Sequence, residues 1–243
     1  MTELAVFSKT DIGRKRIVNE DSILTVKFGE SHLLAIADGL GGHAAGEIAS
    51  RLALEKIENN LKSQLNTTHK KDAIREAIAD ANAEIYRLSQ QKPEYSGMGT
   101  TLVAAIVSKS EVLICNIGDS RAYLLGSEIR QISKDHSVVQ ELVDRNVISE
   151  EEAFAHAQKN LVTRTIGISK NTDPDFYEEE ISGKQLLLCS DGLSDLLRNN
   201  EIFDIVTASS TLEKACTTLI DEANERGGKD NISVILASEQ PLL

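Results

Sequence analysis

The chain has 243 residues, enough for one large domain with a sizeable core. It carries 38 Asp and Glu against 26 Lys and Arg, and a formal charge of −12 excludes a generally basic nucleic-acid footprint and an attraction to anionic membranes. Hydrophobic residues at 41% exclude a disordered chain, and no apolar run approaches the ~18 residues of a membrane span.

Met1-Thr2-Glu3-Leu4 lacks the basic and apolar regions of a secretory leader. Cys115, Cys189 and Cys216 are odd in number and widely spaced. That spacing argues against a disulfide framework and a CxxC zinc site, and the residues read as core. These features together predict a cytoplasmic protein. No repeat or linker divides the chain, so residues 1–243 read as a single domain.

The first apolar run, His32–Ala37, has the length and content of a buried strand. Helices are expected over Gly46–Gln64 and Asp72–Gln90. In the second, Ile74, Ile78, Ala81, Ile85 and Leu88 recur at alternating spacings of 4 and 3 and form an amphipathic stripe. Strands Thr101–Val107 and Glu111–Ile117 follow, joined by a hairpin at 107–111, and a short turn at 116–120 leads to strand Arg121–Leu125. The segment 135–174 is polar, with a capping box at Ser149 to Glu152, and reads as an inserted helical element. Strand Gln185–Cys189, helix Leu212–Arg226 ending at Gly227-Gly228, and strand Ile232–Ala237 complete the chain. Consecutive strands are often hairpin-linked, which favours antiparallel sheets packed with helices over a doubly wound parallel fold.

The informative feature is where the acids fall. Asp38, Asp119 and Asp191 each end an apolar run beside Gly or Ser, Asp230 begins one, and Glu20-Asp21 lies near the start. A carboxylate at a strand end is rigidly held, and Gly beside it lets a ligand approach the backbone. One Asp-Gly is an ordinary turn; several at strand ends would repel one another without a cation. Carboxylate, carbonyl and water suit Mg²⁺ or Mn²⁺, and the near absence of His and Cys argues against zinc. The loop Asp38–Glu47 holds four of the 15 Gly within eight residues, yet it is neither a Walker A loop nor a GxGxxG fingerprint. Its one titratable side chain mid-loop is His43. Arg16 stands beside Glu20-Asp21, where it is either part of a solvated charge run or a fork for an anionic oxygen.

The segments Gly13-x-x-Arg16-x-x-Asn19-Glu20-Asp21, Asp38-Gly39-Leu40-Gly41-Gly42-His43 and Gly97-Met98-Gly99-Thr100-Thr101 occur in order. They continue with Gly118-Asp119-Ser120-Arg121, Asp135-His136-Ser137, Ser190-Asp191-Gly192 and Asp230-Asn231-Ile232-Ser233. This series resembles the metal-dependent protein phosphatases of type 2C, especially compact bacterial members. Leu40 departs from it, standing where Met is common.

The resemblance implies an α+β fold, a four-layer αββα sandwich of two antiparallel sheets flanked by helix pairs, with a flap at about 146–172. It implies a Mn²⁺- or Mg²⁺-dependent serine/threonine phosphatase with two ions per site and a weaker third. Asp38 would bridge two ions, Asp191 and Asp230 would complete the first, and Glu20 with the Gly39 carbonyl would hold the second. Asp119 with Asp191 would take the third, and Asp21 would support the ligands. Arg16 would grip the phosphate and His43 would act as general acid. The implied partners are phosphorylated proteins, a Ser/Thr kinase and its substrates, met by a monomer with no nucleic acid and no membrane. The alternative is a catalytically silent module of the same fold that binds phosphoproteins or cations. From Thr172 to Asp204 there are nine acids against two bases, which predicts a face favouring phosphosites flanked by Lys or Arg.

Overall fold

The computed structural model describes residues 4–41, 45–62 and 69–239. One sheet runs in the order β1 (Ala5–Asp11), β11 (Ile232–Ser238), β10 (Gln185–Cys189), β7 (Arg121–Leu125) and β8 (Ile129–Gln131). The other runs β2 (Asp21–Phe28), β3 (Ser31–Leu40), β5 (Leu102–Ser108), β6 (Glu111–Ile117) and β9 (Asp175–Glu180), with β4 (Gly99–Thr100) paired to the end of β3. Every pairing is antiparallel.

The two sheets face each other, and both faces of each are covered. In β3, Leu34 and Ile36 point into the core between the sheets, where they meet Leu186, Leu188, Ile235 and Ala237. Leu33, Ala35 and Ala37 point the other way, onto α1 (Ala45–Leu61) and α2 (Lys70–Gln91). In the other sheet Leu187, Cys189, Val234 and Leu236 pack against α6 (Asn199–Ala208) and α7 (Leu212–Glu225). Strands buried on both faces have no polar face to show, so they read as continuous apolar runs. The four layers expected from the sequence are present, and Cys115, Cys189 and Cys216 are buried and free.

The predicted strand and helix segments all form, with ends shifted by a few residues; positions 63 and 64 of the first helix lie outside the described residues. The insert between β8 and β9 is less helical than expected. Its helices are α3 (Val138–Asp144), capped by Ser137, and α4 (Glu150–Phe154), with the capping box at Ser149 and Glu152. A short helix α5 (Asp191–Ser194) follows β10 directly. Among the described residues no helix is long and apolar enough to cross a membrane.

Candidate active site

The sandwich brings the predicted acids to one end. Asp38 lies near the end of β3 and pairs in register with Asp21, the first residue of β2. Asp119 sits where the chain passes from β6 in one sheet to β7 in the other. Asp191 opens α5 immediately after β10, and Asp230 precedes β11. Each acid ends or begins a strand because the apolar run that pulls the strand into the core stops there.

Neighbouring groups fix these positions. The Asp38 N–H donates to Thr101 Oγ1 at 3.1 Å, and the Asp38 carbonyl accepts from the Thr101 N–H and from Thr100 Oγ1, each at 2.9 Å. Ser190 Oγ donates to Asp21 Oδ2 at 2.8 Å. Asn231 ties three backbone groups: its Oδ1 accepts from the Glu20 N–H at 2.8 Å, and its Nδ2 donates to the carbonyls of Ile12 and Val18 at 2.9 and 3.0 Å. That one amide clamps the loop carrying Arg16 against β11. The first turn of α1 packs on Glu20, since a Cβ on Gly46 would lie 2.5 Å from Glu20 Oε1. Gly39 and Gly46 pass so closely that a Cβ on Gly39 would overlap the Gly46 carbonyl.

The acids form a buried field of like charge. Burial, and then the charges of Asp21, Asp191, Asp119 and Asp230, push the Asp38 carboxyl well above the usual range. Burial, and then Asp119, Asp195, Asp230 and Asp21, do the same to Asp191. Burial with Asp135 nearby raises Asp119 to about 7, and burial raises Asp21 to about 6 against its Ser190 hydrogen bond. Glu20 is raised by burial, with Arg16 opposing. Asp38 and Asp191 are only part-covered, so the same cleft that crowds them also opens them to solvent.

Arg16 supplies positive charge inside this field. Its Nη2 meets Asp230 Oδ2 at 2.7 Å and its Nη1 meets Glu20 Oε2 at 3.5 Å, with 45% of the side chain exposed. Arg121 holds Asp135 through Nε and Nη2, the shorter contact being 2.7 Å.

The donor set fits hard divalent cations. It would consist of the carboxylates with the expected Gly39 carbonyl, and burial followed by neighbouring acids raises the proton affinity of Asp38, Asp119 and Asp191. Among the described residues, Glu20 Oε1, Asp21 Oδ1 and Asp191 Oδ1 are buried without a hydrogen-bond partner. Among the same residues no three His, Cys, Asp or Glu side chains form a ready-made ligand cluster. Ions held there would have few protein ligands each and would keep much of their water. His43 lies outside the described residues.

The insert lines two cavities, the first of them beside these acids. One of about 720 Å³ is lined by Asp119 and Asp191 below and by Val139, Gln140 and Phe154 of the insert above. The other, about 410 Å³, lies between Leu40 and the stretch from Val162 to Thr165. Phe154 is flanked by the Arg198 guanidinium at 4.5 Å and Lys159 Nζ at 5.4 Å from its ring centre. Arg198 pairs with Glu151, and Lys159 pairs with Asp195 at 2.9 Å, so the insert is fastened to α5 and the start of α6.

The apolar runs locate the acids in the sequence, but no local signal assigns a role to Asn231, Thr101 or Ser190. Each stands inside a segment that carried the resemblance, but its partners are distant in sequence, and no local pattern names them.

A family model described as Protein phosphatase 2C matches residues 12–236. The serine/threonine phosphatase stp of Listeria monocytogenes is 37% identical over 234 residues, covering 94% of this chain and 93% of that protein. The crystal structure of the serine/threonine phosphatase Stp1 of Staphylococcus aureus superposes with a TM-score of 0.91 at 38% identity, covering 98% of this chain and 95% of that one. The catalytic domain of the serine threonine protein phosphatase PstP, solved with two manganese ions, gives a TM-score of 0.87 at 34% identity with 97% of each chain covered. With the two-sheet fold, the order of the acids and these likenesses in agreement, the chain belongs to the protein phosphatase 2C family of metal-dependent serine/threonine phosphatases.

Proposed function

We propose that this phosphatase removes phosphate from phosphoserine and phosphothreonine in proteins, opposing a bacterial Ser/Thr kinase as a cytoplasmic monomer. Glu20, Asp38, the Gly39 carbonyl, Asp191 and Asp230 would hold two Mn²⁺ or Mg²⁺ ions, and Asp119 with Asp191 a weaker third. The observation that carries the reading is the convergence of five buried or half-buried carboxylates from both sheets on one end of the sandwich, two of which, Glu20 and Asp230, are held by the exposed Arg16 fork.

Divalent cations bound there would neutralise phosphate charge and bring the pKa of a water toward ~7, making hydroxide available at neutral pH. Arg16 is placed to bind two phosphate oxygens in parallel, because its fork already spans two carboxylates of similar geometry. Asn231 fixes that fork by pinning the loop on both sides of it. Asp21, hydrogen-bonded to Ser190, holds the start of β2 against Asp38. His43 is assigned the proton donated to the leaving serine or threonine oxygen, worth about 10²–10⁴-fold. The silent alternative would lack one of the ligating acids, and all of them are present.

Phosphate release from phosphothreonine, phosphoserine and phosphotyrosine peptides, each with Mn²⁺ and with EDTA, tests this. Turnover of the first two should require the ion, and Arg16→Ala should chiefly raise KM. Equal turnover in EDTA would overturn the assignment.

A further inference from the structure

His136 stands between the active-site end of the sheets and the insert, and it is 8% exposed. Its main chain and one ring nitrogen grip a single residue. The His136 N–H donates to the Gly118 carbonyl at 2.8 Å, and the Gly118 N–H donates back to His136 Nδ1 at 3.0 Å. Gly118 adopts φ +106 and has no room for a side chain, since a Cβ would lie 2.6 Å from Thr101. It directly precedes Asp119, so the direction of that carboxylate depends on this turn.

The rest of His136 faces the closing end of the insert. Its carbonyl accepts from the Thr163 N–H at 2.8 Å, and Ser137 forms a bridge with Val162. An Nδ1 that accepts a hydrogen bond carries no proton, so the ring proton is on Nε2. Nε2–H therefore donates to Asp175 Oδ2 at 3.1 Å. Burial lowers the His136 pKa although Asp175 opposes it, in keeping with this neutral form. Asp175 Oδ1 accepts from Arg164 Nη1 at 2.8 Å, and the same Nη1 reaches the Asp173 carbonyl at 3.1 Å.

We propose that His136 is a positioning residue with two separable duties: Nδ1 sets the Gly118–Asp119 turn, and Nε2, through Asp175, sets Arg164 and the groove between the insert and Leu40. The inference rests on reading the carboxylate end as the phosphatase site.

Two substitutions divide the ring. In His136→Asn, Oδ1 replaces Nδ1 as acceptor for the Gly118 N–H, and nothing reaches Asp175. In His136→Gln, the longer amide reaches Asp175 and the Gly118 N–H loses its acceptor. Losing a hydrogen bond to a charged partner is worth about tenfold or more. His136→Asn should therefore raise KM for a phosphothreonine peptide about tenfold, with a much smaller effect on p-nitrophenyl phosphate. Asp175→Ala should behave in the same way. His136→Gln should instead raise the Mn²⁺ concentration needed for half-maximal turnover of both substrates.

Hydrogen exchange on the metal-free protein reads the same division without activity. His136→Asn should speed exchange across residues 161–166 and leave Gly118 protected, and His136→Gln should do the reverse. Identical exchange and kinetic changes in the two variants would overturn the proposal. If wild-type turnover proved independent of Mn²⁺, the phosphatase reading would fall, and the exchange pattern would still decide whether the two ring nitrogens act separately.

Discussion

The carboxylate field has a stability cost that can be measured without substrate. Asp119 is 6% exposed, and its carboxyl is raised from 3.8 to about 7. A group raised in the folded state contributes stability below its unfolded pKa that is lost as pH climbs through the folded one. Relative to the fully protonated protein, the loss from Asp119 alone is about 2 kcal/mol at pH 5 and about 4 kcal/mol at pH 8. Asp119→Asn removes the titration at nearly constant shape. For a domain of this size 1 kcal/mol moves Tm by roughly 2–4 °C. The gain in Tm of the metal-free variant over wild type should therefore be about 5–10 °C larger at pH 8 than at pH 5. Thermal unfolding in EDTA at the two pH values measures it. Adding Mn²⁺ should stabilise wild type more at pH 8 than at pH 5, because ligands must be deprotonated to bind. A gain that is the same at both pH values would refute the claim that burial and neighbouring acids raise the Asp119 carboxyl.

Asn231→Ala removes an amide that serves three backbone groups, and at about 1 kcal/mol per hydrogen bond the loss is about 3 kcal/mol. Urea unfolding of the metal-free protein checks that figure, and KM for phosphopeptide should also rise because the Arg16 loop is released. Gly46→Ala places a methyl group against Glu20 Oε1 and should weaken Mn²⁺ binding at least tenfold by calorimetry, with helix content unchanged by circular dichroism.

The strands legible in the sequence and the strands that were missed differ by position. The six that the apolar runs locate are β3, β5, β6, β7, β10 and β11, and these are the interior strands of the two sheets. Of the strands not anticipated, β1, β2, β8 and β9 are the four sheet edges. An interior strand sandwiched by helices and a second sheet must be apolar on both faces. An edge strand is half-exposed, and its mixed composition, as in Asp175–Glu180, has no apolar run to recognise. The site divides in a related way. Its acids were legible because each abuts an apolar run and a small residue, which is local information. Asn231, Thr101, Ser190 and His136 act on partners up to 219 positions away, so only the folded chain reveals what they do.

The net charge of −12 acquires a different meaning once its distribution is known. Between Thr172 and Asp204 most of the acids are already committed. Asp173 binds Arg75, Asp175 binds Arg164, Glu178 binds Lys71, Glu179 binds Arg130, Asp195 binds Lys159 and Glu201 binds Arg226. The expectation that this face selects basic flanking residues therefore loses its basis, since exposed pairs of this kind leave little field to steer a peptide. Two of these pairs, Asp175 with Arg164 and Asp195 with Lys159, instead fasten the insert over the cleft. At the end of the sheets Arg16 pairs with Glu20 and Asp230, while, after burial, Asp191 and Asp119 raise Asp38, Asp119 raises Asp191, and Asp135 and Asp195 raise Asp119. The unmet demand for positive charge thus lies where the substrate phosphate must approach, and only cations bound there can turn an anion-repelling cleft into an anion-binding one.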